Sequence, residues 1–141
     1  MIKLVVKAKT LWPVVMREDA IYAAKFAMHY YNLDAKVTLK LGFKEGYAGQ
    51  ALQLDNDDII VYISANTSIE EVMFAIFHEF THVKQYLRGE FAVLENDKIK
   101  WNGKEINFDW ECETSYNQAE WEIEARRMEL VLMQKFLDIP C

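Results

Sequence analysis

Chain breakers, cysteines and basic clusters are all scarce in this sequence. Its 141 residues include only 5 glycines and 2 prolines, with no Ser/Gly/Pro-rich tract and no repeat. No linker is expected, and residues 1–141 read as one domain. Cys112 and Cys141 are too few and too far apart in sequence for a disulfide framework or a paired-cysteine zinc site, and they read as reduced thiols. Twenty-two acidic residues face 16 basic ones, a net charge of -6, and no Lys/Arg cluster is present. That excludes a nucleic-acid partner bound through its phosphates. No apolar run approaches membrane-spanning length, and the opening MIKLVVKAKTLWPVV is broken by lysines and a proline with no small-residue cleavage site. The expectation is a soluble, cytoplasmic protein with neither membrane nor nucleic acid as partner.

Core material, by contrast, is plentiful: 52% of residues are hydrophobic, with 4 Trp, 7 Tyr and 8 Phe, enough for one packed domain. Met1 to Lys9 reads as extended. REDAIYAAKFAMHYYN, Arg17 to Asn32, has helical apolar spacing with acidic residues in its first turn. AKVTLKLGF alternates as a strand, and DDIIVYISA is a β-branched strand bounded by acidic turn residues. Thr67 and Ser68 with Glu70 and Glu71 form a capping box that starts a helix reaching about Leu87. IKWNGKEINF folds back as a hairpin around Asn102-Gly103, and a last helix runs from about Tyr116 to Leu137. Strand, helix, strands, helix, hairpin, helix is the order of an α+β domain.

Histidine is scarce too, at 3 residues, yet two of them stand four apart in IFHEFTHVKQ, Ile76 to Gln85. On a helix, residues four apart differ by about 40° of rotation, so His78 and His82 project from one face as two ligands of a single ion must. Glu79 sits about 100° from His78. It can reach a water on that ion without taking a coordination position, and so serve as general base. On the helical wheel Val72, Ala75, Ile76, Phe80, Val83, Tyr86 and Leu87 form an apolar arc, with Glu70, Thr81, Lys84 and Arg88 opposite. Glu79 falls inside the arc, where a carboxylate is costly unless paired or functional. The plainer reading is a satisfied core glutamate between two helix-flank histidines.

A catalytic zinc takes three protein ligands and keeps one position for water. His29, the remaining histidine, lies upstream on another helix and reads as an ordinary surface or core residue, so the third donor falls to a downstream carboxylate. On the last helix Trp121, Ala125, Met128, Leu132 and Phe136 make an apolar stripe, which Ile123, Leu130, Met133 and Leu137 widen. Glu122, Arg126 and Glu129 fall inside it, while Glu120 and Glu124 lie on the polar side. Glu122, nearest the helix start, is the candidate ligand. Arg126 is within helical pairing distance of Glu122 and Glu129, and both Arg126 and Glu129 are candidates for orienting the ligands. The competing account is a buried Glu-Arg-Glu cluster that holds no metal.

HEFTH on a capped helix behind IIVYIS, followed roughly forty residues later by AEWEIEARR, resembles the gluzincin-like zinc metallopeptidases. The likeness is to their minimal bacterial and phage-associated members, whose second motif reads W-E-x-E-A, and it runs from about Asp58 to Met128. The resemblance implies a single-domain zincin-like fold, with a small mixed sheet, an active-site helix carrying HExxH and a C-terminal helix bearing the glutamate ligand. It implies one Zn2+ per chain held by His78, His82 and Glu122, with the Glu-x-x-Ala pattern of related zincins mapping onto Glu122 and Ala125. Arg126 stands where many relatives carry an aspartate that orients a histidine, and Glu120 where a proline often precedes the tryptophan. The resemblance further implies that DIIVYIS is the edge strand along which an extended peptide lies, although such an apolar run also suits an internal strand. Tyr116 could stabilise the transition-state oxyanion, or simply pack. The functional expectation is hydrolysis of a peptide or protein substrate with Glu79 as base. Two alternatives are a non-catalytic metal-binding regulatory or interaction protein of zincin type and a metal-free α+β scaffold. Cys141 could also act as an inhibitory plug on the open zinc position, unless it is a frayed end.

Overall fold

Strand β1 (Lys3–Ala8) leads into helix α1 (Val14–Tyr30), which returns the chain to a parallel neighbour, β2 (Lys36–Leu41). The computed structural model describes residues 3–9, 12–43, 48–54, 56–65, 68–95, 98–108 and 110–139. Helix α1 starts three residues earlier than its apolar spacing suggests, because Pro13 sits at the N-cap with φ already near the helical value. Glu18 and Asp19 therefore fall beyond the first turn, which holds no acidic residue.

Strand β3 (Gly49–Gln53) runs antiparallel to β4 (Ile59–Ile63), and β4 pairs in parallel with β2, giving the order β1-β2-β4-β3. The stretch IIVYIS is thus an internal strand, which corrects the edge position implied by the resemblance. Ile59, Val61 and Ile63 are buried and Ile60 and Tyr62 half-buried, as befits a strand paired on both sides. The edge belongs to β3, whose GQALQ carries no β-branched or aromatic residue and gave no strand signal.

Helix α2 (Ile69–Leu87) follows β4 and is capped by Ser68, whose Oγ accepts from the Glu71 N–H at 3.1 Å. Thr67, the other expected capping residue, lies outside the described residues. The polar side expected for this helix is not a solvated face. Thr81 and Lys84 are as buried as the apolar arc, because α1 and the last helix pack on both flanks. Thr81 donates to the Phe77 carbonyl at 2.8 Å, so the Tyr31 hydroxyl, 2.8 Å away, is the donor to Thr81.

A second sheet, ordered β5-β6-β7, comprises β5 (Phe91–Val93), β6 (Ile99–Trp101) and β7 (Lys104–Ile106), all antiparallel. The β6–β7 turn has positive φ at both Asn102 (49°) and Gly103 (86°), as the sequence suggests for a primed hairpin. The expected final helix is split in two: α3 (Glu113–Gln118) and α4 (Glu120–Leu137) meet at Ala119, which is extended (φ -63°, ψ 133°). Ala119 is buried, and its carbonyl accepts from the Glu122 and Ile123 N–H groups to begin α4. Three residues assigned to the apolar arc of α4, Ile123, Leu130 and Leu137, are instead exposed. The described residues form an α+β domain of four helices and two sheets. None of these helices is long and apolar enough to cross a membrane.

Helices α1, α2 and α4 share one side of the larger sheet. Val37, Leu39, Leu41, Ile59, Val61 and Ile63 are buried in the main core with α1, α2 and α4 residues. Phe26, Phe77 and Phe136 form an aromatic triangle with ring centroids 5.3–6.1 Å apart that joins those three helices. Phe77→Ala should lower the unfolding free energy by about 3–5 kcal/mol, the usual cost of a phenylalanine-sized cavity. Urea titration measures it, and a loss below about 1 kcal/mol would show that the triangle does not hold the helices together.

Candidate metal centre

Helix α2 presents His78 and His82 one turn apart, their rings 5.0 Å centroid to centroid, toward the first turn of α4. There Glu122 meets both: its Oε2 is 3.0 Å from His78 Nε2 and its Oε1 is 3.0 Å from His82 Nε2. Donor atoms of the three residues lie within 4.8 Å of one another, close enough to share one ion. The helical register therefore places Glu122, and not Glu124, against the histidines. His29 is exposed at the far end of α1.

Each histidine is held from behind. His78 Nδ1 lies 2.7 Å from Glu129 Oε2, and His82 Nδ1 lies 2.8 Å from Gln85 Oε1. The orientation of the Gln85 amide follows from its other contacts. Its Nε2 faces only acceptors, the Trp121 carbonyl at 3.0 Å and Glu124 Oε1 at 2.9 Å, so Oε1 must face the imidazole. Both Nδ1 atoms then carry hydrogen, and both Nε2 atoms point to the shared position, where each donates to Glu122 and would offer its lone pair to an ion once that proton is displaced. Glu129 thus supplies the orienting carboxylate from two turns beyond Glu122, and Arg126 does not. Arg126, expected to pair with Glu122 or Glu129, donates to the Asn117 carbonyl and ties α3 to α4.

Glu124, expected on a solvated face, instead has its Oε1 2.7 Å from the buried Lys84 ammonium, which is also 2.7 Å from Glu90. A polar chain runs from Lys84 through Glu124 and Gln85 to His82. Gln85 was legible in principle, since it stands three residues after His82 on the same helix face. The pairing of Lys84 with Glu124 joins residues 40 positions apart and had no local signal.

Glu79 is 8% exposed and lies under β3. A Cβ on Gly49 would sit 2.9 Å from Glu79 Cγ, so only glycine lets the strand approach this closely. Burial raises the Glu79 pKa, and the opposing pull of His82 and His78 does not cancel it. For His78 burial disfavours charge, but hydrogen bonds to Glu122 and Glu129 outweigh it and push the pKa up to about 10. His82 is raised for the same reasons, with Glu122 again the hydrogen-bond partner. Burial acts against ionised Glu122 too, yet the two imidazoles hold it well below the usual carboxylate range. Tyr116 stands at the mouth of the site, 45% exposed. Its pKa is raised by partial burial and then by the charge and hydrogen bond of Glu122, so its hydroxyl stays a donor. An open cleft of about 800 Å³ leads away from Gly49, His78, Glu79, Tyr116 and Glu129. Cys141 lies outside the described residues.

Comparison with protein-family models, characterised proteins and solved structures gives no significant match.

With both imidazoles raised, an ion must displace protons to bind, so affinity for zinc as the probe ion should climb with pH from about 6 to 9. Calorimetry in buffers of different ionisation enthalpy should register proton release; pH-independent affinity would contradict the site. Glu122→Ala should abolish tight binding, whereas Gln85→Leu, which frees the His82 ring, should weaken it about 10–100-fold. Competition with a chromogenic chelator separates these outcomes, and unchanged affinity in Gln85→Leu would remove the orienting role.

Proposed function

We propose that this protein is a zinc-dependent peptidase of zincin-like fold, with one ion held by His78, His82 and Glu122 and with Glu79 as general base. The observation that carries the reading is the convergence of two oriented Nε2 atoms and one carboxylate, with a further carboxylate buried beside them and outside the donor set. A purely structural site needs no such base, which favours an enzyme over a metal-binding regulatory protein. Bound zinc would supply a Lewis acid that polarises a peptide carbonyl and acidifies water.

The chain's own groups do the rest. Glu79, its proton affinity raised by burial, takes a proton from the attacking water and returns it to the leaving amine. Glu129 and Gln85 keep the imidazoles from rotating. Tyr116, a donor at the mouth of the cleft, is placed to meet the negative charge that develops on the carbonyl oxygen. Among the described residues β3 pairs with a strand on one side only, β4, and although Tyr86 donates to its Ala51 carbonyl at 3.4 Å, the rest of its other side can offer backbone groups to an extended peptide above Glu79. Such pairing reads sequence weakly, so side-chain selection must come from the cleft.

Glu79→Gln preserves size and hydrogen bonding but cannot accept the proton. It should keep its zinc while hydrolysis of a mixed peptide pool falls by roughly two orders of magnitude or more. Mass spectrometry of the pool and elemental analysis provide the two readouts. Full activity in the variant, or protein that neither carries nor takes up zinc, would sink the proposal. Gly49→Val should likewise retain the ion and lose most activity, because its side chain displaces Glu79 from below β3.

A further inference from the structure

Beyond the catalytic groups, the cleft follows the outer face of α2 from His78 back to Glu71, seven residues or about 10 Å along the helix axis. Its walls are apolar. Phe74 and Ala75 rise from α2, and Leu130 projects from α4 with 62% of its surface exposed, a large aliphatic side chain left uncovered beside a cavity. Apart from His78, which belongs to the metal position, every ionisable side chain named on the cleft wall is a carboxylate or the Tyr116 phenol: Glu71, Glu79 and Glu129 line it, and no described lysine or arginine does. Glu129 is engaged by His78, and Glu79 is reserved beside the metal position. Glu71 differs from both. Its backbone N–H caps onto Ser68, but its carboxylate has no cationic partner among the described residues and lies at the outer end of the cleft.

Three kinds of side chain can be weighed against this lining. An acidic one would meet three carboxylates. A purely aliphatic one would cover Leu130 and Phe74 but crowd Glu71 without satisfying it. A long stem with a cationic head does both, laying methylenes on the apolar walls and its charge against the carboxylate. We propose that the cleft takes a lysine or arginine side chain, so that the substrates are basic peptides and Glu71 is the residue that selects them; hydrolysis of those peptides rests on the function proposed above. Away from His78, the carboxylates at the Glu71 end of the cleft also draw cationic chains toward it before they dock.

The test separates binding from chemistry. Zinc-loaded Glu79→Gln protein is titrated calorimetrically with acetyl-Ala-Ala-X-Ala-Ala-amide, where X is lysine, arginine, norleucine or glutamate. Lysine and arginine should bind roughly five- to tenfold more tightly than norleucine, which keeps the stem but lacks the charge, and glutamate should bind worst. Adding Glu71→Gln, which retains the N–H bond to Ser68, should erase the lysine-to-norleucine ratio, and Glu71→Lys should reverse the order of lysine and glutamate. Thermal melts confirm folding of each variant. Equal binding of lysine and norleucine peptides, a ratio that survives Glu71→Gln, or no measurable binding of any peptide overturns the inference. If wild type hydrolyses peptides without preference for basic residues, this inference fails and the peptidase stands. Charge-selective binding with no hydrolysis by wild type has the opposite meaning.

Discussion

Two imidazoles on one helix and one carboxylate on another hold the centre of this molecule together. Without an ion, His78 and His82 share the two oxygens of Glu122, and the charges that keep this arrangement intact are the charges a cation would replace. Helices α2 and α4 are thereby joined, and no other pair of elements packs together as extensively. The arrangement demands that α2 be surrounded, and it is. Along the one face that carries Phe77, Thr81 and Lys84, it is covered in turn by aromatic contacts, by the Tyr31–Thr81 hydrogen bond and by the two carboxylates on Lys84. A buried cation such as Lys84 is costly unless fully paired, and here each partner comes from a different element. The site and the core are built from the same helix faces.

Trp121 and Glu122 show how closely the two are joined. The tryptophan packs on Phe91, Trp101 and Phe108, the small core beneath the second sheet, while its neighbour in sequence turns to the histidines. Trp121 also gives its carbonyl to Gln85. The hairpin sheet thus sets the rotation of α4 about its axis, and with it the direction of Glu122, although it contributes no atom to the candidate centre.

Much of this was legible in the sequence because the information was local. The four-residue spacing of His78 and His82, the Ser68 cap, the Asn102-Gly103 turn and the helical register that separates Glu122 from Glu124 are properties of short windows, and the structure reproduces each. The failures have one physical origin. Helical wheels assign one face to the core, but α2 has neighbours on several sides, so Thr81 and Lys84 were misplaced. The polarity of Glu124 reads as solvation until Lys84 is brought to it from 40 residues away. Strand β3 carries no local signal because GQALQ has no β-branched or aromatic residue, and its Gly49 is required by the close approach to Glu79. The order β1-β2-β4-β3, which demotes IIVYIS from the edge, depends on that strand and could not be seen without it.

The two margins of the larger sheet are unlike each other. Strand β1 carries exposed lysines at positions 3 and 7, and such side chains discourage another chain from adding a strand. Strand β3, GQALQ, has no charged residue at all. Repulsion thus guards one margin against self-association, and the other, lying over a buried carboxylate, has no charge to do the same. An extended chain meeting this sheet is directed to a single side, and any aggregate that grows by strand addition must begin there as well. The contrast makes β3, the margin without charge, the point at which crowding would first join one copy to another.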